Sequence, residues 1–343
     1  MKIDLSIIVP CYNRIDLLKE TLKSIENAIS NINAEIILVD DGSVIPIEEQ
    51  LHTFVHLPIV HIRQANSGLT TSRYNGLMKA KGEFIQFLDS DDQVASNKFN
   101  VQIDAMRINN ADISYTDVAE YHVNHASNKL RFDRFIQLER SIVPEIFFIR
   151  IQPPPHSPIF KRDYLVNNLS SPFIPLSRNY DSIGEIWFYY NLSIYPAVIL
   201  KIDEPLTFII HHDDGRLTDH WELLGICALA IQYKFVNNFP EHLHNSDNIK
   251  KMVALAAFGT FRRLPYDMNY QFQNSFLDIW KRLGKSTITD MRGGRYFNIL
   301  AYACGPILAA KIMKRIKNPK YKRIQTVDDD LMKSELKKVL NNL

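Results

Sequence analysis

Short apolar runs alternate with helical periodicities over the first hundred residues of the chain. Four runs have the length and composition of buried strands: residues 5–9, 35–39, 58–62 and 83–88. After the first run, four aliphatic residues recur at helical spacing: Leu18, Leu22, Ile25 and Ile29. Residues 70–81 also predict a helix. This alternation indicates an α/β fold, with a mostly parallel, Rossmann-like sheet covered by helices on both faces.

The pattern changes in the second half of the chain. A strand is predicted at residues 111–118, a helix at 182–192, and two strands at 198–202 and 206–211. From about Asp219 onward the periodicity is helical throughout. We therefore predict two parts, an α/β domain over residues 1–217 and a helical C-terminal region over residues 218–343.

Polar clusters follow three of the four predicted N-terminal strands. They are Tyr12-Asn13-Arg14, Asp40-Asp41 and Asp89-Ser90-Asp91-Asp92. Ligands of open α/β sheets bind beyond the carboxyl ends of the strands. The sequence therefore predicts a functional site at that edge of the sheet.

Three carboxylates in four residues repel one another at Asp89, Asp91 and Asp92, so a counter-charge is expected. Mg²⁺ and Mn²⁺ prefer oxygen ligands and often share them with phosphates, which favours a cation that bridges to a diphosphate. The alternative is a solvated acidic loop that caps the next helix. Asp40 and Asp41 are suited to accept hydrogen bonds from a nucleobase or ribose, or to form an Asp/Gly turn that caps a helix.

Composition excludes several classes of protein. The 343 residues carry a net charge of +2, which gives no overall field for nucleic acid. Cys11, Cys227 and Cys304 are too few and too scattered for a disulfide framework or a zinc site. The chain has neither a signal-peptide layout nor an apolar run of about 20 residues. We therefore expect a cytoplasmic protein.

The order and spacing of four segments resemble those of the family 2 glycosyltransferases, which have the GT-A fold. The segments are Ile7–Arg14, Glu35–Ser43, Asn66–Gly76 and Ala80–Asp92. The resemblance is specific over residues 3 to about 100, weaker to about 215 and absent beyond. It implies an enzyme that moves a sugar from a nucleotide-sugar donor to an acceptor hydroxyl.

The resemblance also assigns roles to residues of this chain. Pro10, Tyr12 and Asn13 surround the base, with Tyr12 as a stacking surface; Asp41, with its neighbour Asp40, meets the base. Gly68 allows close approach of the backbone, and Arg73 lies near the pyrophosphate. Asp89, Ser90 and Asp91 match the DxD motif: Asp91 is expected to bind Mn²⁺ or Mg²⁺ directly, Asp89 to contact ribose or a metal-bound water, and Asp92 to take either role.

An acceptor hydroxyl needs a base to remove its proton. In inverting relatives this carboxylate lies at the start of a helix about 90 residues after the metal motif, which here selects Glu185, with Asp181 in reserve. Many relatives have Glu-Asp where this chain has Glu185-Ile186. Glu185 is alternatively a residue that stabilises the helix N-terminus. His212 and Arg216 match a segment that contacts the diphosphate in some relatives, or else form a solvated loop.

The resemblance thus implies an inverting, metal-dependent transferase that uses a nucleotide-sugar, with UDP as the expected nucleotide. Its acceptor would be a glycan or lipid-linked glycan of a surface polysaccharide such as a capsule, lipopolysaccharide or O-antigen. A catalytically inactive nucleotide-sugar-binding or scaffold protein is the alternative, because Ile186 departs from the pattern. A sugar-nucleotide pyrophosphorylase is disfavoured, since residues 10–14 lack the glycine-rich phosphate loop of that class.

The C-terminal region ends in a basic segment. Residues 297–312 are largely apolar but contain Gly305-Pro306, which argues against a straight spanning helix. The bases that follow are Lys311, Lys314, Arg315, Lys317, Lys320, Lys322 and Arg323. This pattern is typical either of a segment that binds the inner face of an anionic plasma membrane or of a packed helix with a solvated basic end.

Overall fold

The chain folds into two compact units. The computed structural model describes residues 2–124, 129–212, 219–241, 243, 246–284, 287–291 and 293–341. The first unit comprises Met1–Pro172, Leu176–Arg178 and Gly184–Asp214, and the second comprises Phe173–Pro175, Asn179–Ile183 and Gly215–Leu343. The boundary predicted after residue 217 lies outside the described residues and stays a prediction.

The first unit contains every strand among the described residues. The strands are β1 (Leu5–Cys11), β2 (Ala34–Asp40), β3 (Ile59–Arg63), β4 (Phe84–Phe87), β5 (Gln93–Val94), β6 (Ile113–Asn124), β7 (Lys129–Ile136), β8 (Ile159–Lys161) and β9 (Ile199–His211). Its helices are α1 (Ile15–Ala28), α2 (Leu69–Lys79), α3 (Lys98–Asn109), α4 (Pro144–Ile146), α5 (Arg162–Leu169) and α6 (Gly184–Leu192).

The described strands form one nine-stranded sheet in the order β3-β2-β1-β4-β8-β6-β9-β5, with β7 paired to β6. The strands β3, β2, β1 and β4 are parallel neighbours, as predicted. Strand β8 is antiparallel to both β4 and β6, and β5 and β7 are antiparallel additions. The sheet is therefore mixed, with a parallel half that carries the predicted strand ends.

The apolar pattern places the core of this unit between the sheet and its helices. All seven residues of β1 and all seven of β2 are buried, as expected of strands covered on both faces. Helix α1 buries the predicted stripe of Leu18, Leu22 and Ile25 against them. This packing holds the carboxyl ends of β1, β2 and β4 in fixed positions.

Two strands predicted at residues 198–202 and 206–211 are one strand, β9. Its pairing with β6 shifts register around Asp117 and Pro205. Proline has no backbone N–H group to donate to a neighbouring strand. The pairing shifts register at Pro205, and the strand continues on both sides of it. The helix predicted from residue 182 begins at Gly184, after a 3₁₀ segment at Arg178–Ile183.

The second unit is helical where the structure describes it. Its helices are α7 (Trp221–Asn238), α8 (Ser246–Arg263), α9 (Tyr270–Arg282), α10 (Gly294–Cys304), α11 (Pro306–Lys317), α12 (Tyr321–Ile324) and α13 (Asp329–Asn341). Gly305, with φ of +84°, separates α10 from α11, so the predicted break in that apolar segment is observed. Among the described residues, none of the helices combines the length and the apolar composition needed to cross a bilayer.

Gly82 is required where the chain enters β4. A Cβ atom at this position would lie 2.5 Å from the Ser6 amide nitrogen and 2.6 Å from the Leu5 carbonyl carbon. Because both atoms belong to the backbone of β1, we expect Gly82→Ala to lower the free energy of unfolding of the first unit by about 1–3 kcal/mol. Chemical denaturation followed by circular dichroism measures this effect.

Gly259→Ala is the matched control for that substitution. Gly259 lies inside α8, where the nearest atom to a new Cβ among the described residues, apart from the backbone of the helix itself, is Arg263 Nη1 at 3.9 Å. Alanine favours the helix there by about 1 kcal/mol. A Gly82→Ala protein as stable as wild type would contradict the close approach of residue 82 to β1.

Candidate active site

The polar strand ends of the first unit meet at one edge of the sheet. In the parallel register Cys11 pairs with Asp40, and Ile8 pairs with Phe87. The residues that follow these positions along the chain therefore emerge side by side. This is the arrangement that the alternation of strands and helices predicts.

Asp41 organises the loop that precedes α2. Its carboxylate accepts hydrogen bonds from the Ser67 amide at 2.8 Å, the Gly68 amide at 2.9 Å and Gln64 Nε2 at 2.8 Å. Gly68 adopts a φ of +95°, a conformation that glycine takes without strain. A carboxylate offers about four acceptor positions, so Asp41 retains capacity for a further donor.

Asp40 anchors the loop after β2. It accepts hydrogen bonds from the amides of Ser43 at 2.8 Å and Ile47 at 3.2 Å, and from Arg63 Nη1 at 2.6 Å. Burial alone would raise the pKa of Asp40, but hydrogen bonds from the Ser43 side chain and from the Ser43 and Ile47 amides, together with the charge of Arg63, lower it. Asp40 therefore holds the loop in which Asp41 lies.

The loop after β1 presents Tyr12 to solvent. Its side chain is 48% exposed, whereas Pro10 is buried within the strand. Asn13 has a φ of +55°, and it donates its amide to Ser43 Oγ and accepts from the Val44 amide. These bonds hold Asn13, the residue that follows the tyrosine, and the exposed ring is available as a flat surface.

A buried arginine links two predicted site carboxylates. Arg73 is 1% exposed; its Nη2 lies 2.5 Å from Asp89 Oδ1, and its Nη1 lies 3.4 Å from Glu185 Oε2. Asp89 follows β4, and Glu185 lies in the first turn of α6. The guanidinium thus holds together carboxylates that are 96 residues apart in the chain.

Glu185 lies beside a small, mostly apolar cavity. Phe87, Phe188 and Tyr189 line this cavity together with Arg73 and Glu185. Burial raises the pKa of Glu185, and the charge of Asp89 acts in the same direction, while Arg73 opposes them. The side chain nevertheless keeps 29% of its accessible surface. The result is a reachable carboxylate that binds a proton more readily than an ordinary glutamate.

Two nitrogen groups converge on one oxygen of Asp91. Arg14 Nη1 lies 2.8 Å and His212 Nε2 lies 3.0 Å from Asp91 Oδ2. Arg14 follows β1 and His212 follows β9, so three separate segments meet at this carboxylate. The convergence of donors on a single oxygen marks a position that suits a positive charge.

Asp92 and His156 form a buried pair beneath this edge. Asp92 Oδ1 accepts the Ile210 amide at 2.9 Å, and Oδ2 lies 3.3 Å from His156 Nδ1. The His156-Ser157 backbone is held in turn by Thr207 Oγ1 and by the buried Lys98 Nζ, which donates to the Ser157 carbonyl at 2.9 Å. Ligand atoms of Asp89, Asp92 and His156 all lie within 4.8 Å of one another.

The segment that builds this edge matches a known family of enzymes. Residues 6–164 match the model of glycosyl transferase family 2. The S. aureus protein TarS (residues 1–349, in complex with UDP-GlcNAc) superposes with a TM-score of 0.63 at 16% identity, over 95% of this chain and 93% of that one. The first unit is a family 2 glycosyltransferase domain with the GT-A fold.

Two relatives show how far the likeness extends along the chain. An uncharacterised glycosyltransferase of Rickettsia bellii is 37% identical over 115 residues, which are 32% of this chain and 16% of that protein. The cholesterol galactosyltransferase of Borreliella burgdorferi is 27% identical over 244 residues, 69% of this chain and 59% of that protein. The chain spans less than a fifth of the length of the first relatives that it matches.

The donor set of the glycosyltransferase domain fits a divalent cation. Asp91 and His212 supply a carboxylate oxygen and an imidazole nitrogen 3.0 Å apart, and Asp89 remains 29% exposed. Carboxylates suit Mg²⁺ and Mn²⁺, and an added imidazole favours Mn²⁺ of the two. Asp92 and His156 offer the same chemistry, but both are buried and bonded to the surrounding protein.

The structure brings most of the predicted site residues into the glycosyltransferase domain. Ser90 is buried beneath the strand end, next to Cys11. Asp181 belongs to the second compact unit, whereas Glu185 belongs to the domain that holds Asp89. Arg216 lies outside the described residues, so its assignment stays a prediction.

Three contacts of the glycosyltransferase domain were not predicted from the sequence. The sequence places Arg14 in a polar cluster but gives no partner for it, because Arg14 and Asp91 are 77 positions apart. His156 pairs with Asp92, which precedes it by 64 residues. Gln64 connects Asp41 to Ser72 and Asn75 on α2. The only available hint was the position of Arg14 directly after a strand.

Proposed function

We propose that the first unit binds a nucleotide-sugar, with UDP as its nucleotide, and transfers the sugar with inversion to an acceptor hydroxyl. The observation that carries this proposal is the linked set of Arg73, Asp89 and Glu185. It joins a reachable carboxylate of raised pKa to the acidic motif after β4. A structural acidic turn would need neither the buried arginine nor the second carboxylate.

The nucleotide half of the donor would occupy the ends of β1 and β2. The exposed ring of Tyr12 is placed to stack on a base, and Asp41 has an acceptor position left for a base N–H group. Gly68 adds a backbone segment without a side chain in the same loop. The presence of UDP-GlcNAc in the TarS crystal supports this assignment, since the two folds are alike.

The diphosphate would lie near Asp91. Asp91, with Asp89, would hold Mn²⁺ or Mg²⁺, and His212 and Arg14 lie against Asp91 with groups that suit phosphate oxygens. A bound cation supplies charge stabilisation to the departing nucleoside diphosphate. Arg14 Nη1 lies 2.8 Å from Asp91 Oδ2 in this structure. Arg14 would therefore move away from this carboxylate when a cation binds to it.

Glu185 would remove the proton of the acceptor hydroxyl as the new glycosidic bond forms. A base is most effective when its pKa approaches the working pH, and burial moves the pKa of Glu185 in that direction. The charge of Arg73 lowers the pKa of Glu185 and so opposes part of this rise. Arg73 is thus a positioning residue that holds the base against Asp89.

The acceptor we propose is a sugar hydroxyl of a glycan or lipid-linked glycan, in the synthesis of a surface polysaccharide. This choice rests on the family resemblance. The Borreliella relative is named for transfer to cholesterol, which makes a lipid hydroxyl the first alternative. Incubation with labelled donor and each acceptor class, followed by mass spectrometry of the product, separates the two.

An inactive nucleotide-sugar-binding protein is the second candidate, and Ile186 favours it. This position holds an aspartate in many relatives, and isoleucine cannot accept a proton. Both proteins would bind the donor, so binding does not distinguish them. Release of the nucleoside diphosphate during incubation with donor and acceptor does, because only an enzyme turns over.

Calorimetric titration of UDP into the purified chain tests the donor site. We expect binding in the presence of Mn²⁺ and a loss of about tenfold or more in affinity after EDTA, because the cation would connect the acidic motif to the diphosphate. Titrations with GDP and dTDP are the controls for the nucleotide. An absence of binding by all three nucleotides would contradict the proposed function.

A further inference from the structure

Helices α10 and α11 of the second unit each expose bulky apolar side chains. These side chains are 50–74% exposed: Tyr296, Ile299, Tyr302, Leu308 and Ile316. On α10 the residues Arg295, Ile299 and Tyr302 follow at spacings of four and three, so they share one helix face. We call the five exposed apolar residues of the two helices the α10–α11 face. Exposed apolar clusters of this kind mark binding surfaces.

The opposite sides of the same two helices are packed. Phe297 and Ala301 of α10 are buried, and the guanidinium of Arg262 lies 3.9 Å from the centre of the Phe297 ring. On α11, Ala309, Ala310 and Lys314 are buried. The helices therefore have a defined inner side, and the α10–α11 face is what they present outward.

Lys314 departs from the predicted basic cluster. It is 2% exposed, bonds to Gln273, and lies 4.2 Å from the centre of the Phe261 ring. Burial lowers its pKa to about 8. Lys314 thus belongs to the packing of the second unit, and the other bases of the cluster remain exposed.

The chain segment that carries the α10–α11 face has charges of a single sign. Between Asp290 and Asp328 the sequence contains nine lysines and arginines and no acidic residue. Exposed bases lie on α11 and directly after it: Lys311, Arg315, Lys317 and Lys320. On α11, Leu308, Lys311 and Arg315 fall on one side of the helix, so bases border the apolar side chains. A protein partner of neutral surface would gain nothing from this excess.

We propose that the α10–α11 face binds the surface of an anionic lipid bilayer. Tyrosine is an amphipathic side chain that suits the boundary between headgroups and acyl chains, and isoleucine and leucine enter the apolar layer. Lysines and arginines beside them are attracted to anionic headgroups. This pairing of an apolar face with bordering bases is the composition of a helix that lies in the membrane plane.

Co-sedimentation of the full chain with vesicles tests the proposal. We expect binding to phosphatidylcholine vesicles that contain phosphatidylglycerol, and little binding to phosphatidylcholine alone. The double variant Lys311→Glu/Arg315→Glu is expected to weaken binding about tenfold or more. Ile299→Ser/Tyr302→Ser should also weaken it about tenfold, through loss of apolar insertion.

The matched control is Lys333→Glu/Lys337→Glu, which makes the same charge change on exposed positions of α13. It should leave vesicle binding unchanged, and the melting temperatures of all variants should equal that of wild type. Absence of binding to the anionic vesicles would overturn the proposal. So would equal losses in the α13 control, or a dimer of the wild-type chain that Ile299→Ser/Tyr302→Ser dissociates, since a second copy would then cover the face.

Discussion

Replacing Glu185 with glutamine is expected to reduce transfer by about 10²- to 10⁴-fold while leaving donor affinity unchanged. Glutamine keeps the length of the side chain and an oxygen that accepts from Arg73, so the contacts around β4 and α6 persist. It cannot take the proton of the acceptor hydroxyl. Single-turnover transfer measures the rate, and calorimetry with UDP measures the affinity.

Glu49→Gln is the control for this variant, because Glu49 is exposed in the short 3₁₀ helix Glu48–Gln50 of the same unit and undergoes the same chemical change. Asp181→Asn serves as the second test. Full transfer by Glu185→Gln together with loss of transfer by Asp181→Asn would move the base to Asp181. Loss of donor binding by Glu185→Gln would instead show that Glu185 has a structural role.

The pH dependence of transfer follows from the same carboxylate. Burial raises the pKa of Glu185, so its protonated and inactive form persists to higher pH than for an exposed glutamate. Transfer should therefore fall as the pH decreases through this raised pKa. The acidic limb of the profile should lie above the ordinary glutamate range, and in Glu185→Gln it should disappear from the residual activity.

Replacing Asp91 with asparagine is expected to abolish the effect of Mn²⁺ on UDP binding. Asparagine has the same shape and retains an acceptor for Arg14 or His212, but it lacks the charge that a divalent cation requires. Mn²⁺ affinity of the nucleotide-free protein, measured by electron paramagnetic resonance, should fall by about tenfold or more. This readout does not depend on catalysis.

Asp16→Asn is the matched control, because Asp16 on α1 has a side chain that is 95% exposed. It should leave Mn²⁺ binding unchanged. An Asp91→Asn protein with wild-type Mn²⁺ affinity would refute the assignment of Asp91 to the cation. In that case Asp92→Asn would test the group of Asp89, Asp92 and His156, whose ligand atoms also lie close together.

The apolar pattern of the sequence was sufficient to predict the parallel half of the sheet. Strands β1, β2 and β4 are buried runs cut off by polar turns, and such runs are visible locally. The run that forms β3 was also predicted to be buried, but β3 lies at the edge of the sheet and three of its five residues are exposed. The apolar pattern did not predict β5 or β8, because strands of two or three residues are too short to show a periodicity. Their places in the sheet depend on partners far away in the chain.

The sequence by itself determined which chemical groups lie at the sheet edge, since each polar cluster directly follows a strand whose end must lie there. Only the tertiary structure decided what these groups contact. The placement of Arg73 near a pyrophosphate stays a prediction, whereas its position between Asp89 and Glu185 is visible only in the fold. The sequence groups Lys314 with the basic residues around it, but in the folded chain its side chain is buried. The local sequence specifies which residue types directly follow a strand or helix. Partners distant in sequence decide the charge and burial of each side chain, because the free energy of a buried charge depends on the groups that surround it.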